Sequence, residues 1–165
     1  MKLRQLQLKD APLMLEWMHD ESVVENLSAN FGAKKLSDCE AFIKASKEDE
    51  ANLNLAIVDD NDEYMGTVSL KHIDKKNKNA EFAVAMRTCA MGKGYSKYGM
   101  AEIIRIGLEE MGLNEVYWCV SPANKRAVRF YDKNEYIRVP HNEINCVGYT
   151  QEQIEEFIWY SAKRK

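Results

Sequence analysis

The chain has 165 residues, with 23 Lys and Arg against 26 Asp and Glu, a net charge of −3 and a pI of about 5.7. That length suits a single domain over residues 1–165 that buries roughly 70% of its unfolded surface, and a composition 30% charged and 45% hydrophobic excludes a disordered chain. The balance offers no basic face for nucleic acid, and no apolar stretch approaches the roughly 18 residues that span a bilayer.

The N-terminal residues lack a signal-peptide apolar block, so the expected compartment is the cytoplasm, with neither a nucleic-acid nor a membrane partner. Cys39, Cys89, Cys119 and Cys146 have no C-x-x-C spacing. They read as reduced core or loop residues, with no metal expected.

In chain order, Leu3, Leu8 and the alternation between them predict a first strand. Asp10 stands as the N-cap of a helix with an early Pro12 and an apolar face of Leu13, Met14, Trp17 and Met18. A short helical piece over 22–27 and a loop over 28–35 follow. Ser37-Asp38-Cys39-Glu40 reads as a capping box, opening a helix that buries Phe42 and Ile43. Strands near 53–58 and 64–70 flank an Asp-rich turn, and a charged hairpin over 72–79 leads into 80–86. There Phe82, Val84 and Met86 alternate onto one face. Further on, Met100, Ile103, Ile104, Gly107, Leu108 and Met111 recur at helical spacing, and Gly112 occupies the C′ position. A strand over 115–120, a Ser121-Pro122 break and a helix carrying Tyr131 come next. Strands near 136–139 and 157–162 close the sheet around a long loop over 140–153.

Between the 80–86 strand and the following helix lies Met91-Gly92-Lys93-Gly94-Tyr95-Ser96. Strand, two-glycine turn and helix is the layout that aims backbone N–H groups and a helix N-terminus at a phosphate. Lys93, Lys97, Lys125, Arg126 and Arg129 gather near this turn in the sequence, a pattern suited to a small polyanion. About thirty residues later comes Asn124-Lys125-Arg126-Ala127-Val128-Arg129-Phe130-Tyr131, an N-x-x-A-x-x-x-Y frame.

The order strand, G-x-G, helix, strand, N-x-x-A-x-x-x-Y resembles the GNAT superfamily of acyl-CoA-dependent N-acetyltransferases over nearly the whole chain. The resemblance implies an α/β (α+β) fold: a mixed, strongly bent sheet of six to seven strands with helices on both faces and a V-shaped splay between two parallel central strands. It implies acetyl-CoA as co-substrate, held by the turn from Met91 to Ser96 and by Asn124, Ala127 and Tyr131. It also implies that backbone groups of Ala85, Met86, Arg87 and Thr88 pair with the pantetheine arm and polarise the thioester carbonyl, where such donors are worth roughly 3–4 kcal/mol.

By the same resemblance Tyr131 is the proton donor to the departing thiolate. A phenol of pKa about 10 protonating a thiolate of about 8.5 is uphill by roughly 2 kcal/mol in water. The residue therefore works by hydrogen-bonding the sulfur or through a lowered pKa; on residue type alone Tyr131 is equally a core tyrosine. Glu81, in an alanine-glutamate-aliphatic context with small Ala83 and Ala85 on its face, is the matching general base, or else a salt-bridged strand residue. A lysine amine of pKa about 10.4 costs roughly 4.6 kcal/mol to deprotonate at pH 7, an α-amine near 7.8 only about 1. His19, His72 and His141 form no constellation and read as surface or satisfied polar residues.

Three positions depart from the family pattern: Cys89 before the turn, Cys119 on the strand before Asn124, and Glu135-Tyr136 in place of a glycine-aromatic pair, with Asn134 expected to take the left-handed turn. The N-terminal region resembles the subgroup of ribosomal-protein N-terminal and amino-sugar-nucleotide acetyltransferases. The acceptor is then an amino-sugar nucleotide, a protein N-terminus or another small primary amine, with specificity in loops 26–36 and 140–149 and the region of Tyr64 and His72. Trp17, Asn30, Phe31 and Tyr149 are its candidate lining. A catalytically weak acyl-CoA-binding sensor of the same fold is the alternative, and a homodimer is the oligomer to expect. A dinucleotide fold is disfavoured because Gly99 lies too far from Gly94 for G-x-G-x-x-G.

Overall fold

A computed structural model describes residues 1–165 apart from 26, 28 and 145–147. The expected Cys146 and parts of the two specificity loops lie outside the described residues. The described residues form one seven-stranded sheet in the order β1 (Lys2–Gln5), β2 (Leu53–Val58), β3 (Tyr64–Asp74), β4 (Asn79–Met86), β5 (Glu115–Val120), β7 (Ile158–Lys163), β6 (Ile137–Val139). Every neighbouring pair is antiparallel except β4 with β5. The helices are α1 (Ala11–Met18), α2 (Glu21–Val24), α3 (Leu36–Ser46), α4 (Tyr95–Arg105), α5 (Lys125–Lys133) and α6 (Gln151–Glu156). No helix among the described residues is long and apolar enough to cross a membrane.

The period-2 alternation of β4 decides which helices cover which face. Phe82 and Met86, with Val84 packed beside them, join Val68, Leu70, Val116 and Trp118 in the larger core beneath α4 and α5. Gly99 brings α4 close, since a Cβ there would lie 2.5 Å from the Ile57 side chain. On the other face, α1 and α3 cover Ala56, Val58 and Tyr64, while Tyr117 and Trp159 form a separate cluster with Ile154 of α6. The core on that face is split because β3 and β4 supply Ser69, Glu81, Ala83 and Ala85 there, side chains too small or too polar to join the two halves.

Several local expectations change on contact with tertiary structure. The first strand ends at Gln5, because Leu8 enters a 3-10 turn, Leu8–Asp10. Asp10 precedes α1 without capping it: its carboxylate accepts from the Gln7 amide at 2.8 Å and pairs with Arg4 at 2.8 Å. α3 begins at Leu36, one residue before the expected cap, with the Asp38 carboxylate accepting from the Lys35 amide. Ile43 is fully buried but Phe42 is 41% exposed. Glu135, at φ 62°, takes the left-handed position expected of Asn134. The helix before Gly112 ends in a π-helical turn, Ile106–Glu110.

Candidate active site

β4 and β5 pair only at Asn79 with Glu115, Ala80 with Val116 and Glu81 with Tyr117. Beyond Glu81 the two strands run on unpaired, Phe82–Met86 and Trp118–Val120, which is the expected V-shaped splay with its apex at Glu81. On the α4–α5 side of the free arm of β4 lies a cavity of about 340 Å³. Of the residues expected to hold the co-substrate, Met86, Met91, Gly92, Gly94, Ser96, Asn124, Ala127 and Tyr131 line it.

The turn at its mouth fits a diphosphate. Gly92 and Gly94 have φ of 77° and 88°, a conformation that costs an L-residue about 1–2 kcal/mol. A Cβ built on either meets nothing within 4 Å, so the outer surface of the turn is open to an approaching anion. The first bond of α4 runs from the Tyr98 N–H to the Gly94 carbonyl at 3.1 Å. The amides ahead of it have no helical acceptor and sit at the positive end of the helix dipole. Lys97 and Arg126 add two cations to the lining, and Arg126 reaches across to the Met91 sulfur at 3.5 Å.

Two residues of the same expectation, Arg87 and Thr88, make contacts elsewhere. The Arg87 amide donates to the Met65 carbonyl at 2.9 Å, and its guanidinium is buried between Glu16 and Glu63. Amides alternate edges along a strand, so those of Val84 and Met86 are the ones facing the open side of β4. The Thr88 hydroxyl donates to Asp20, whose other carboxylate oxygen accepts the Ser22 amide at 3.0 Å. The Ser22 hydroxyl, which donates to Asp20 at 2.6 Å, contributes most to holding that carboxyl below its ordinary pKa, with the Thr88 hydroxyl next. These bonds also pin α2 beside the cavity, where Ser22 and Val23 complete the lining. Sequence reading gave no signal for that, because α2 is some seventy residues from the turn. Lys93 is exposed and Tyr95 packs on the larger core.

Tyr131 is 9% exposed and sits on a bed of rings: Trp118 at 5.6 Å, Tyr160 at 5.1 Å and Phe130 at 5.6 Å between centroids. Among the described residues nothing hydrogen-bonds its hydroxyl, and the side chain borders the cavity. Burial pushes the phenol well above its ordinary pKa. The phenol is therefore held protonated, able to act as a hydrogen-bond donor. The shift runs opposite to the lowered pKa that is one of the two expectations for this residue. Asn124 caps α5 by accepting from the Ala127 amide at 3.3 Å, which fixes the frame carrying Tyr131.

Glu81 lies at the apex on the opposite face from Phe82, Trp118 and Tyr131, 4% exposed. Its Oε2 accepts from the Tyr149 hydroxyl at 2.5 Å, and its buried Oε1 has no hydrogen-bond partner among the described residues. Tyr149 is held protonated, by burial first and by the carboxylate second. His72, read from sequence as a surface residue, places Nε2 4.0 Å from that Oε1. His19 and His141 spend a ring nitrogen on the Lys34 and Phe157 carbonyls, as satisfied polar residues do.

A second cavity, of about 400 Å³, opens on the Glu81 face, floored by Asn54, Thr67, Ser69, Ala83 and Ala85 and walled by Met14, Trp17 and Phe31. Trp17 and Phe31 meet edge to face at 5.1 Å. Both cavities share Leu27, Val84 and Ala85, so they adjoin across β4. Asn30 is not among the lining residues, and Tyr149 serves Glu81 instead. The charged groups on the lining are Lys34, Lys71 and Asp38. No cluster of three His, Cys, Asp or Glu able to hold a metal occurs among the described residues.

A family model described as an acetyltransferase (GNAT) domain matches residues 1–136. Among solved structures, the spermidine N-acetyltransferase of Vibrio cholerae in complex with CoA and spermine is similar, with a TM-score of 0.81 and 17% identity over 99% of this chain and 95% of that one. The spermidine/spermine N-acetyltransferase of Vibrio cholerae in complex with manganese ions matches with a TM-score of 0.72 and 19% identity, covering 98% and 91%. At such identities the likeness speaks to the fold alone. No curated protein matches the chain in sequence.

Proposed function

Because the chain belongs to the GNAT acetyltransferase family and is an acetyl-CoA-dependent N-acetyltransferase, we propose that it acetylates a single primary amine on an apolar, neutral or anionic body, such as a peptide N-terminus or an amino-sugar nucleotide. Acetyl-CoA, when bound, supplies an activated acyl carbon at the splay. The turn from Met91 to Ser96 holds its diphosphate, with Lys97 and Arg126 beside it, and the Val84 and Met86 amides face the open edge where the pantetheine arm would run. Glu81 takes the proton from the acceptor's ammonium on one face. Tyr131 offers its hydroxyl to the sulfur on the other.

The observation that carries the acceptor class is the lining of the second cavity. A polyamine, the acceptor named for the structural neighbours, would bring several positive charges against Lys34 and Lys71, with Asp38 the one carboxylate on that lining among the described residues. An α-amine or sugar amine brings one, and it costs roughly 3 kcal/mol less to deprotonate than a lysine-like amine. The apolar wall of Met14, Trp17 and Phe31 suits the rest of such a molecule.

The test is release of free thiol from acetyl-CoA with peptide N-termini, amino-sugar nucleotides, aminoglycosides and polyamines. Peptide or amino-sugar acceptors should show the highest kcat/KM. Spermidine as the preferred acceptor would refute the assignment. Tight CoA binding without turnover across the panel would favour an acyl-CoA sensor instead.

A further inference from the structure

We propose that His72 is the proton exit of the active site, carrying to solvent the proton that Glu81 removes from the acceptor amine. The inference rests on Glu81 acting as the base.

Three independent observations converge on it. The first is a carboxylate oxygen without a hydrogen bond among the described residues: Glu81 Oε1 is buried and 4.0 Å from His72 Nε2. The second is exposure. The Glu81 side chain is 5% exposed and that of His72 is 57% exposed, so the pair joins a buried site to bulk water. The third is backbone. The register between β3 and β4 shifts after Lys71, and His72 sits in that irregularity at φ 52°. Its amide is held by the Asn52 side-chain oxygen at 3.1 Å, and the next amide by the Ala51 carbonyl at 2.8 Å. A non-glycine residue held at positive φ by its surroundings is a feature that needs a reason. Here the reason is direction: the irregularity puts an imidazole beside the Glu81 carboxylate.

The other groups facing Glu81 do not offer the same route. Tyr149 occupies Oε2 as a donor and is held protonated. Lys71, directly opposite on β3, carries an ammonium, a donor with no acceptor site for the proton. Tyr117 and Cys119 on β5 lie within the cluster around Trp159. Imidazole is the side chain that both accepts and releases protons near pH 7.

The transfer balances. Glu81 takes one proton from the ammonium and becomes a neutral acid. The acid passes it to the imidazole once the 4.0 Å gap closes by about 1 Å to hydrogen-bond length. The imidazolium gives it to water, and the carboxylate is restored for the next turnover.

The test substitutes His72→Asn, because asparagine tolerates positive φ and so leaves the backbone in place, and a melting curve confirms the fold. With the best acceptor of the panel above, kcat should fall about tenfold, within reach of general acid–base effects. KM for acetyl-CoA should be unchanged, the pH profile should change on its acidic side, and added imidazole should restore most of the rate. Turnover within twofold of wild type, or a loss that imidazole does not restore, overturns the proposal. Glu81→Gln separates the two layers: if it stays active, or if no amine in the panel turns over, the underlying reading falls and the relay with it. If Glu81→Gln is inactive while His72→Asn is unaffected, only the relay falls.

Discussion

On one face of the splayed strands, Tyr131 stands on Trp118, Tyr160 and Phe130, with no polar partner for its hydroxyl among the described residues. On the other, Glu81 is held by the Tyr149 hydroxyl and approached by His72, with no ring stacked on it. The Tyr131 side of the splay is positioned by packing, the Glu81 side by polar contacts. Packing resists motion because any displacement opens a void, whereas one hydrogen bond can be remade by a small shift. The comparison teaches that substitutions on the two faces should fail differently: stability and geometry on the aromatic face, proton handling on the polar one.

The largest effect that would test this contrast is on stability. Trp118→Ala removes a ring 1% exposed that stacks on Tyr160 at 5.9 Å, and should cost about 3–5 kcal/mol in chemical denaturation. A loss under 1 kcal/mol would show that the bed does not hold Tyr131 in place. Next, Tyr131→Phe keeps that packing and removes only the hydroxyl. Turnover should drop about 100-fold, with the calorimetric affinity for CoA unchanged within twofold. Because burial raises the pKa of Tyr131, its protonated form persists above the ordinary phenol value of about 10. The wild-type rate should accordingly hold to pH 10, and a fall centred there would argue against a buried donor.

On the polar face, Tyr149→Phe strips the only hydrogen bond on Glu81 among the described residues. A bond to a charged group is worth about 1.5–3 kcal/mol, so kcat should fall at least tenfold while the melting temperature barely moves. A large stability loss with normal turnover would reverse the contrast between the faces. The smallest change belongs to the phosphate turn, which both faces depend on. Gly94→Ala, at φ 88°, should cost about 1–2 kcal/mol and weaken CoA binding about tenfold without altering the pH profile.

Much of this was legible in the chain itself. The alternation of Phe82, Val84 and Met86, the glycine spacing of the turn and the N-x-x-A-x-x-x-Y frame are local patterns, set by two-residue and 3.6-residue periods and by backbone sterics. They sufficed for the sheet, the helix after the turn, and the two faces of the 80–86 strand, with Glu81, Ala83 and Ala85 opposite Phe82, Val84 and Met86. What they could not give was anything made by residues far apart in sequence. Arg87 was expected among the cofactor contacts, yet it spends its amide on Met65 and its guanidinium on Glu16 and Glu63. Thr88 ties down α2 through Asp20. Phe42 looked buried by helical spacing and is 41% exposed, because it lines the second cavity instead of the core.

His72 is the clearest case. As a letter between Lys71 and Ile73 it is one more polar residue in a charged hairpin. The register shift, the positive φ and the bond its amide donates to Asn52 bring it to Glu81, nine positions away along the chain but adjacent across two strands. Sequence by itself determined the local patterns, the strand, two-glycine turn, helix and N-x-x-A-x-x-x-Y frame, whose resemblance to a known family implies the fold and the acyl-transfer chemistry, because such patterns are carried by neighbouring residues. Tertiary structure alone decided which polar groups share one buried carboxylate, because that depends on strand register, and register is settled by the packing of the whole sheet.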